Sequence, residues 1–218
     1  MRKVMVIAEA ACTWVYPDLL VNASISIAHA AWAGADVWKT QWTSDPVAMA
    51  ARRGVTADYS RLAWSAGLHE TLAKYCEDAG LKYMCTVFLP KDVATVAKYA
   101  RVGKVAYSER NDTDLIEECK ARFERVIVSG VDLHCVPEYP TALEKLRVDR
   151  VHGKMGLSDH SKSRLSGAVA VGCGATIIEK HFRMEDTPKE DADYPHSLRP
   201  TELREYMRYI REASRMLD

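Results

Sequence analysis

Eight short apolar runs alternate with helix-like stretches along the 218 residues, and nearly every run ends in ionisable or hydroxyl side chains. Strand and helix patterns in strict alternation predict a parallel α/β fold. Eight repeats predict a TIM (β/α)8-type barrel, with reactive groups gathered at the C-terminal strand ends. A doubly wound open sheet is the rival architecture. Hydrophobic content of 48% and charged content of 28% suit a globular chain able to bury a sizeable core. No linker or low-complexity tract breaks the pattern, so residues 1–218 are expected to form one barrel domain.

Residues 4–8 read as the first strand and 22–32 as a helix closed by Gly34, because glycine adopts the left-handed cap readily. Residues 35–41 give the second strand. The polar segment from 42 to about 67 is long for a strand-to-helix loop, which makes it a candidate for function. A helix over 68–79 stops at Gly80; 82–88 is the third strand, and 91–100 is a helix behind Pro90. Residues 102–107 form the fourth strand, and 111–122 a helix with an Asn/Asp/Thr start. The fifth and sixth strands fall at 125–129 and 131–136. A short helix at 141–147, a strand at 153–158, a helix at 163–172, the eighth strand at 176–181 and a helix at 201–217 complete the chain. One place breaks the rule. Between Ser129 and Val131 there is no room for a helix, whereas parallel neighbours need a crossover of about a dozen residues or more. Either one of these runs is not a barrel strand, or the barrel is incomplete there.

Lys plus Arg and Asp plus Glu balance at 30 each, so no bulk field favours nucleic acid or an anionic membrane, and neither is expected as a partner. No segment approaches the roughly 20 apolar residues that span a bilayer. The run from Met1 to Ala8 is too short for a secretory leader and ends at Glu9. The six cysteines are scattered, which fits a reducing, cytoplasmic setting better than a disulfide framework.

The strand ends carry Glu9, Lys39 with Gln41, Thr86, Lys104 with Glu109, Ser129, His134 with Tyr139, Ser158-Asp159-His160 and Glu179-Lys180-His181. Each alone has a bland explanation: a lone Lys or Glu is usually a solvated charge, and His134 reads best as a hydrogen-bonded barrel residue. Gly172-Cys173-Gly174 reads as tight helix–strand packing, and no nucleophile elbow accompanies Asp159-His160. The joint pattern carries the functional reading. Histidines 160 and 181, on neighbouring strand tips, can share one divalent metal. Two lysines with Thr86, Ser129 and Ser158 form a cationic, hydroxyl-rich pocket suited to phosphate or carboxylate. Glu9, Glu109 and Glu179 supply candidate bases or water ligands. A metal-polarised carbonyl beside an anionic substrate points to carbon–carbon bond formation.

Several motifs run in order across almost the whole chain. They include Val6-Ile7-Ala8-Glu9, Gly34-Ala35-Asp36-Val37-Trp38-Lys39-Thr40-Gln41, Cys85-Thr86-Val87-Phe88 and Leu133-His134-Cys135 with Tyr139-Pro140-Thr141. Gly156-Leu157-Ser158-Asp159-His160-Ser161, Ile178-Glu179-Lys180-His181-Phe182 and Asp193 with Ser197-Leu198-Arg199-Pro200 follow. In these the chain resembles the N-acetylneuraminate (sialic acid) synthase family, which includes legionaminate and pseudaminate synthases. The resemblance implies a TIM barrel that condenses phosphoenolpyruvate with an N-acylated amino sugar or related aldose acceptor. It implies a divalent cofactor, Mn2+ first and Mg2+ or Co2+ as substitutes, held by His160 and His181. By position, Lys39, Thr86, Lys104, Ser129 and Ser158 match residues that hold phosphoenolpyruvate, with Gln41 beside them at the second strand's end. Glu9, Glu109, Glu179, Tyr139 and Asp193 match positions that bind sugar, water or metal-bound groups.

The departures bear on the acceptor. The family's Asn-His-x-Gly after the first strand is replaced by Ala10-Ala11-Cys12-Thr13-Trp14-Val15-Tyr16. The serine expected before Glu109 is Tyr107 or is displaced to Ser108, and Pro137 stands where a polar residue is usual. The helix between the fifth and sixth strands and the C-terminal antifreeze-like domain, which in the family lends an arginine to the partner's sugar site, are not found in the sequence. With Trp14, Tyr16 and Pro17 there, the aromatic rings are expected to stack on an altered or smaller acceptor, or to give a weak preference among aldoses, with phosphoenolpyruvate retained. A homodimer is expected through an exposed apolar segment between Trp42 and Trp64. Two other readings stay open: a non-catalytic sugar-binding or partner-subunit descendant, and a different metal-dependent aldolase on the same fold.

Overall fold

A computed structural model describes residues 4–217; Met1 to Lys3, part of the run judged too short for a leader, and Asp218 lie outside them. The strands are β1 (Met5–Ala11), β2 (Val37–Trp42), β3 (Lys82–Val87), β4 (Val102–Val105), β5 (Arg125–Val128), β6 (Leu133–Cys135), β7 (Gly156–Asp159) and β8 (Ile177–His181). The helices are α1 (Leu19–Ala33), α2 (Pro46–Arg53), α3 (Leu68–Asp78), α4 (Pro90–Val96), α5 (Thr113–Arg122), α6 (Leu143–Leu146), α7 (Ser166–Gly172) and α8 (Pro200–Arg215). All strand pairs are parallel, in the order β5-β4-β3-β2-β1-β8-β7-β6. The sheet curls into a nearly closed TIM-type barrel with helices outside, not a doubly wound sheet.

The awkward junction between the fifth and sixth strands has a simple resolution. Both runs are barrel strands, joined by a turn in which Asp132 N–H donates to Val128 O at 2.8 Å and Gly130 N–H to Leu133 O at 2.9 Å. Gly130 takes φ 86° there, a value that side chains other than glycine's adopt rarely. The two strands meet only through a parallel bridge between Ser129 and Leu133. A full parallel ladder would need the crossover helix; one bridge does not. On the opposite flank, a β-carbon on Gly156 would sit 1.7 Å from Ile177 O, so only glycine lets β7 approach β8.

The segment after β2 is not one long loop. Asp45 caps α2 by accepting the Ala48 N–H at 2.9 Å, Pro46 opens its first turn, and Gly54 closes it. The stretch between Trp42 and Trp64 is only partly an exposed apolar face. Both indoles are buried, in an aromatic cluster with Trp14, Trp38, His69 and Tyr83. The two indoles pack the core beside β2, β3 and α3, and Met49 and Leu62 pack with Cys12, Phe88 and Leu89, while Val47 and Val55 stay exposed. The aromatic cluster removes Trp14 from any sugar: it is fully buried, with Nε1 donating to Thr40 Oγ1 at 3.0 Å. Tyr16 is tied to Asp191 at 2.8 Å instead. Terminal α8 buries Leu203, Tyr206, Met207 and Ile210, one stripe at helical spacing, against α7 and α1. Among the described residues no helix is long and apolar enough to cross a membrane.

Candidate active site

Alternation along the strands sorts the barrel interior into layers. Ile7, Val37, Met84, Ile127, Leu133 and Ile177 form an apolar floor. Two residues further along the same strands stand Glu9, Lys39, Thr86, Ser129, Cys135 and Glu179, joined by Lys104 and Ser158. Two residues beyond come Gln41, His160 and His181. With Ala106, Tyr107 and Tyr139, the upper two layers line one narrow cavity of about 40 Å³.

Charge inside this cavity is balanced and almost dry. Lys39 Nζ donates to Thr86 Oγ1 at 2.9 Å, touches the Glu9 carboxylate, and lies 3.4 Å from Glu179 Oε2. Lys104 Nζ donates to Ser129 Oγ at 2.7 Å and lies 3.7 Å from Glu179 Oε1. Ser158 Oγ donates to the same Glu179 oxygen at 2.9 Å, and Ala11 N–H donates to Glu9 Oε1 at 2.6 Å. Burial pushes the Lys39 ammonium down to about 8, against the pull of Glu179. Burial would raise the Glu179 carboxyl, but Lys104 and Lys39 outweigh it and hold it at about 2.

Above this layer the imidazoles gather. The rings of His160 and His181 are 5.4 Å apart between centroids, and Tyr139 lies 4.2 Å over His160. The His160 Nδ1 is 2.9 Å from Val136 O, which leaves Nε2 turned elsewhere. Burial pushes His160 down to about 4, and burial with the neighbouring imidazoles puts His181 well below its ordinary range. Both rings are neutral at pH 7, the form that ligates metals. The His181 Nδ1 and both ring nitrogens of His196 are buried without a hydrogen-bond partner. Such atoms are what a divalent cation would satisfy, so the residues present fit a metal. Asp193 completes a compact group with His181 and His196, its Oδ1 lying 3.5 Å from His181 Nδ1 and 3.2 Å from His196 Nε2.

One sequence expectation lands elsewhere. Glu109 lies outside the cavity, because β4 stops at Val105 and a one-turn helix carries residues 107–109 sideways. There it accepts from Arg53 Nε at 2.5 Å, beside a second cavity of about 430 Å³ that Arg53, Tyr59, Phe88 and Ser108 help to line. His134 lies where its sequence reading puts it, outside the cavity, with Nε2 2.7 Å from Leu146 O. His196 and Arg53 went unread, and Cys135 and Tyr107, read only within motifs, prove to line the cavity. Only His196 left a signal, since Asp193-x-x-His196 places two metal-competent side chains one helical turn apart.

Known proteins agree with this architecture. The chain is 26% identical to the pseudaminic acid synthase of Campylobacter jejuni subsp. jejuni serotype O:2, over 99% of this chain and 75% of that protein. The crystal structure of the N-acetylneuraminic acid (sialic acid) synthetase of Leptospira borgpetersenii, in complex with citrate, superposes with a TM-score of 0.80. It has 20% identity and covers 99% of this chain and 85% of that one. A truncated 3-deoxy-D-arabino-heptulosonate 7-phosphate synthase from Thermotoga maritima shares the fold at a TM-score of 0.70 and 12% identity, over 99% and 88% of the two chains. The NeuB family matches residues 26–131 and 130–218, two segments that meet at the turn between β5 and β6. With nearly nine-tenths of its length matched in this way, the chain belongs to the NeuB family.

Proposed function

We propose that this chain condenses phosphoenolpyruvate with an open-chain amino sugar or related aldose, giving a 2-keto-3-deoxy sugar acid and inorganic phosphate. One observation carries the reading. Two buried ammonium groups, each hydrogen-bonded to a strand-end hydroxyl, converge on one carboxylate beneath neutral imidazoles. Family membership, and relatives named as sugar acid synthases, support it.

In this proposal Lys39, Lys104, Thr86, Ser129, Ser158 and Gln41 hold the phosphate and carboxylate of phosphoenolpyruvate. His160 and His181 would hold a divalent cation, Mn2+ or its substitutes Mg2+ and Co2+. When bound, the cation supplies Lewis acidity toward the acceptor's carbonyl oxygen. C3 of phosphoenolpyruvate attacks the aldehyde carbon; the new bond takes the enol π pair, and the former carbonyl oxygen gains a proton. Water adds to the electron-poor C2, and Glu9 or Glu179, both within reach of Lys39, takes the water's proton. The C2–O bond to phosphate then breaks. Phosphate leaves with the pair while the new hydroxyl loses its proton to become the ketone. The two ammonium groups stabilise the departing charge. Tyr139 and Asp193, at the rim, meet the acceptor. Glu109 is reached only by an acceptor that extends to the second cavity.

The test is phosphate release from phosphoenolpyruvate with Mn2+ and a panel of N-acetylmannosamine, unacetylated hexoses and pentoses. Cation-dependent release with at least one aldose is expected. Binding of phosphoenolpyruvate with no release for any acceptor would instead favour a binding-only relative.

A further inference from the structure

His196 is the least explained buried group of the site. It lies on the loop between β8 and α8, is 1% exposed, and neither ring nitrogen has a hydrogen-bond partner. Most buried imidazoles donate at least one N–H to a carbonyl or carboxylate, because an unmade bond in a dry interior costs stability. His160 Nδ1 pairs with Val136 O, and His69 Nδ1 pairs with the Tyr83 hydroxyl. His196 instead faces His181, at 4.6 Å between ring centroids, whose Nδ1 is also unpartnered. Asp193 Oδ1 stands 3.2 Å from His196 Nε2, yet not aligned as a hydrogen bond. The three candidate ligand atoms lie within 4.8 Å of one another.

The loop that carries this group is not free to collapse onto another partner. Asp191 is gripped by Arg61 at 2.7 Å and Tyr16 at 2.8 Å, and its other oxygen accepts the Asp193 N–H at 2.8 Å. Leu198 N–H donates to His181 O at 3.0 Å, pinning the far end of the loop to the tip of β8. Three unpartnered ring nitrogens and a carboxylate are thus held together by a fixed frame, an arrangement that makes sense when a cation occupies the centre.

We propose that His196 is itself a metal ligand, so that the cation is held by His181, Asp193 and His196 together and not only by the pair of strand-end histidines. The inference rests on the metal in the proposed function and deepens it. It also predicts the metal's character. Added imidazole favours borderline ions such as Co2+ and Zn2+ over Mg2+ and Mn2+, which prefer oxygen.

The test titrates metal-free protein with Co2+, read by its visible absorption, and follows the histidine rings by 1H–15N NMR as Zn2+ is added. The wild type should bind one Co2+, and the His196 ring resonances should shift on Zn2+ saturation. His196→Ala should weaken Co2+ binding by about tenfold or more and change the band pattern. Asp193→Asn gives a second reading if His196→Ala fails to fold, and the NMR experiment needs no variant. Co2+ affinity within about twofold of wild type in His196→Ala, or unmoved His196 resonances, overturns the proposal. If His160→Ala abolishes binding while His196→Ala does not, this inference falls and the proposed function stands. If binding depends on His196 but no phosphate is released with any aldose, the ligand assignment stands and the proposed reaction falls. Absence of any metal binding overturns both.

Discussion

The motifs at the ends of β7 and β8 feed two charge clusters that differ in one respect. Ser158, His160, Glu179 and His181 point into the barrel, while Asp159 and Lys180, interleaved with them, point out toward the helices. The outer pair is fully buried and saturated. Lys180 Nζ reaches Asp159 Oδ2 at 2.9 Å and Ser161 O, while Asp159 also accepts from Ser161, Ser166 and, at 3.0 Å, Tyr206. Burial would raise the Asp159 carboxyl, but Lys180 and these hydroxyls outweigh it and hold it below its ordinary value. The inner cluster has the same charge types but leaves imidazole nitrogens unpaired and Glu9 and Glu179 oxygens in contact with Lys39 without an aligned hydrogen bond. A saturated network fixes β7, β8, α7 and α8 to one another. An unsaturated one keeps its unmade bonds for something that arrives later.

The difference can be broken most forcefully at Lys180. Lys180→Met strands the Asp159 carboxylate in the core, and chemical denaturation should show a loss of about 3–5 kcal/mol. The folded fraction should bind phosphoenolpyruvate as before; a normal stability curve would mean that the outer cluster is not structural. Lys39→Met should reach the ligand as well as the fold. Calorimetry should show phosphoenolpyruvate binding weakened by more than about 2 kcal/mol, because an anion loses a charged partner. Its stability cost should be comparable to that at Lys180, since Glu179 keeps Lys104 and Ser158 but buried Glu9 loses its cation. Unchanged affinity would reject the inner cluster as the anion site. A subtler probe is His196→Leu in metal-free protein. It removes two unmade hydrogen bonds at similar volume, so thermal unfolding should show a change within about 1 kcal/mol or a gain. A loss as large as at Lys180 would show that His196 has structural partners after all. The smallest effect is in pH. Lys39 is protonated below about 8 and neutral above it, so phosphoenolpyruvate affinity should decline as pH rises through that value. The step should vanish in Lys39→Met; if it persists there, another group is responsible.

The inner cluster was legible in the sequence because a strand fixes alternation. Once the floor residue of β2 is Val37, Lys39 and Gln41 must follow it inward, and the same rule carries Ile177 to Glu179 and His181. Alternation ends where strands end. Glu109 was misplaced because β4 stops four residues before it, and His196 was missed because a loop has no period that says where a side chain points. Helix α2 was hidden by its brevity and by Met49 being its sole buried residue, although its Asp45-Pro46 start and Gly54 stop were present. The tryptophans between β1 and α3 were read as surface because composition does not say which way an indole faces; tertiary packing settled that.

The lone bridge between β5 and β6 gives this barrel something closed barrels lack, a pair of strand edges. Edge strands recruit other strands unless they are guarded. Lys154 ties down the turn beside the gap, its ammonium donating to Val131 O at 2.7 Å and Gly130 O at 3.3 Å. Ser129, the partner of Lys104 in the proposed anion site, stands at that edge, and Cys135 lines the same cavity from the other side. Fraying at the gap would therefore expose sticky backbone and pull Ser129 from Lys104 in the same motion, so self-association and loss of ligand binding would share one origin.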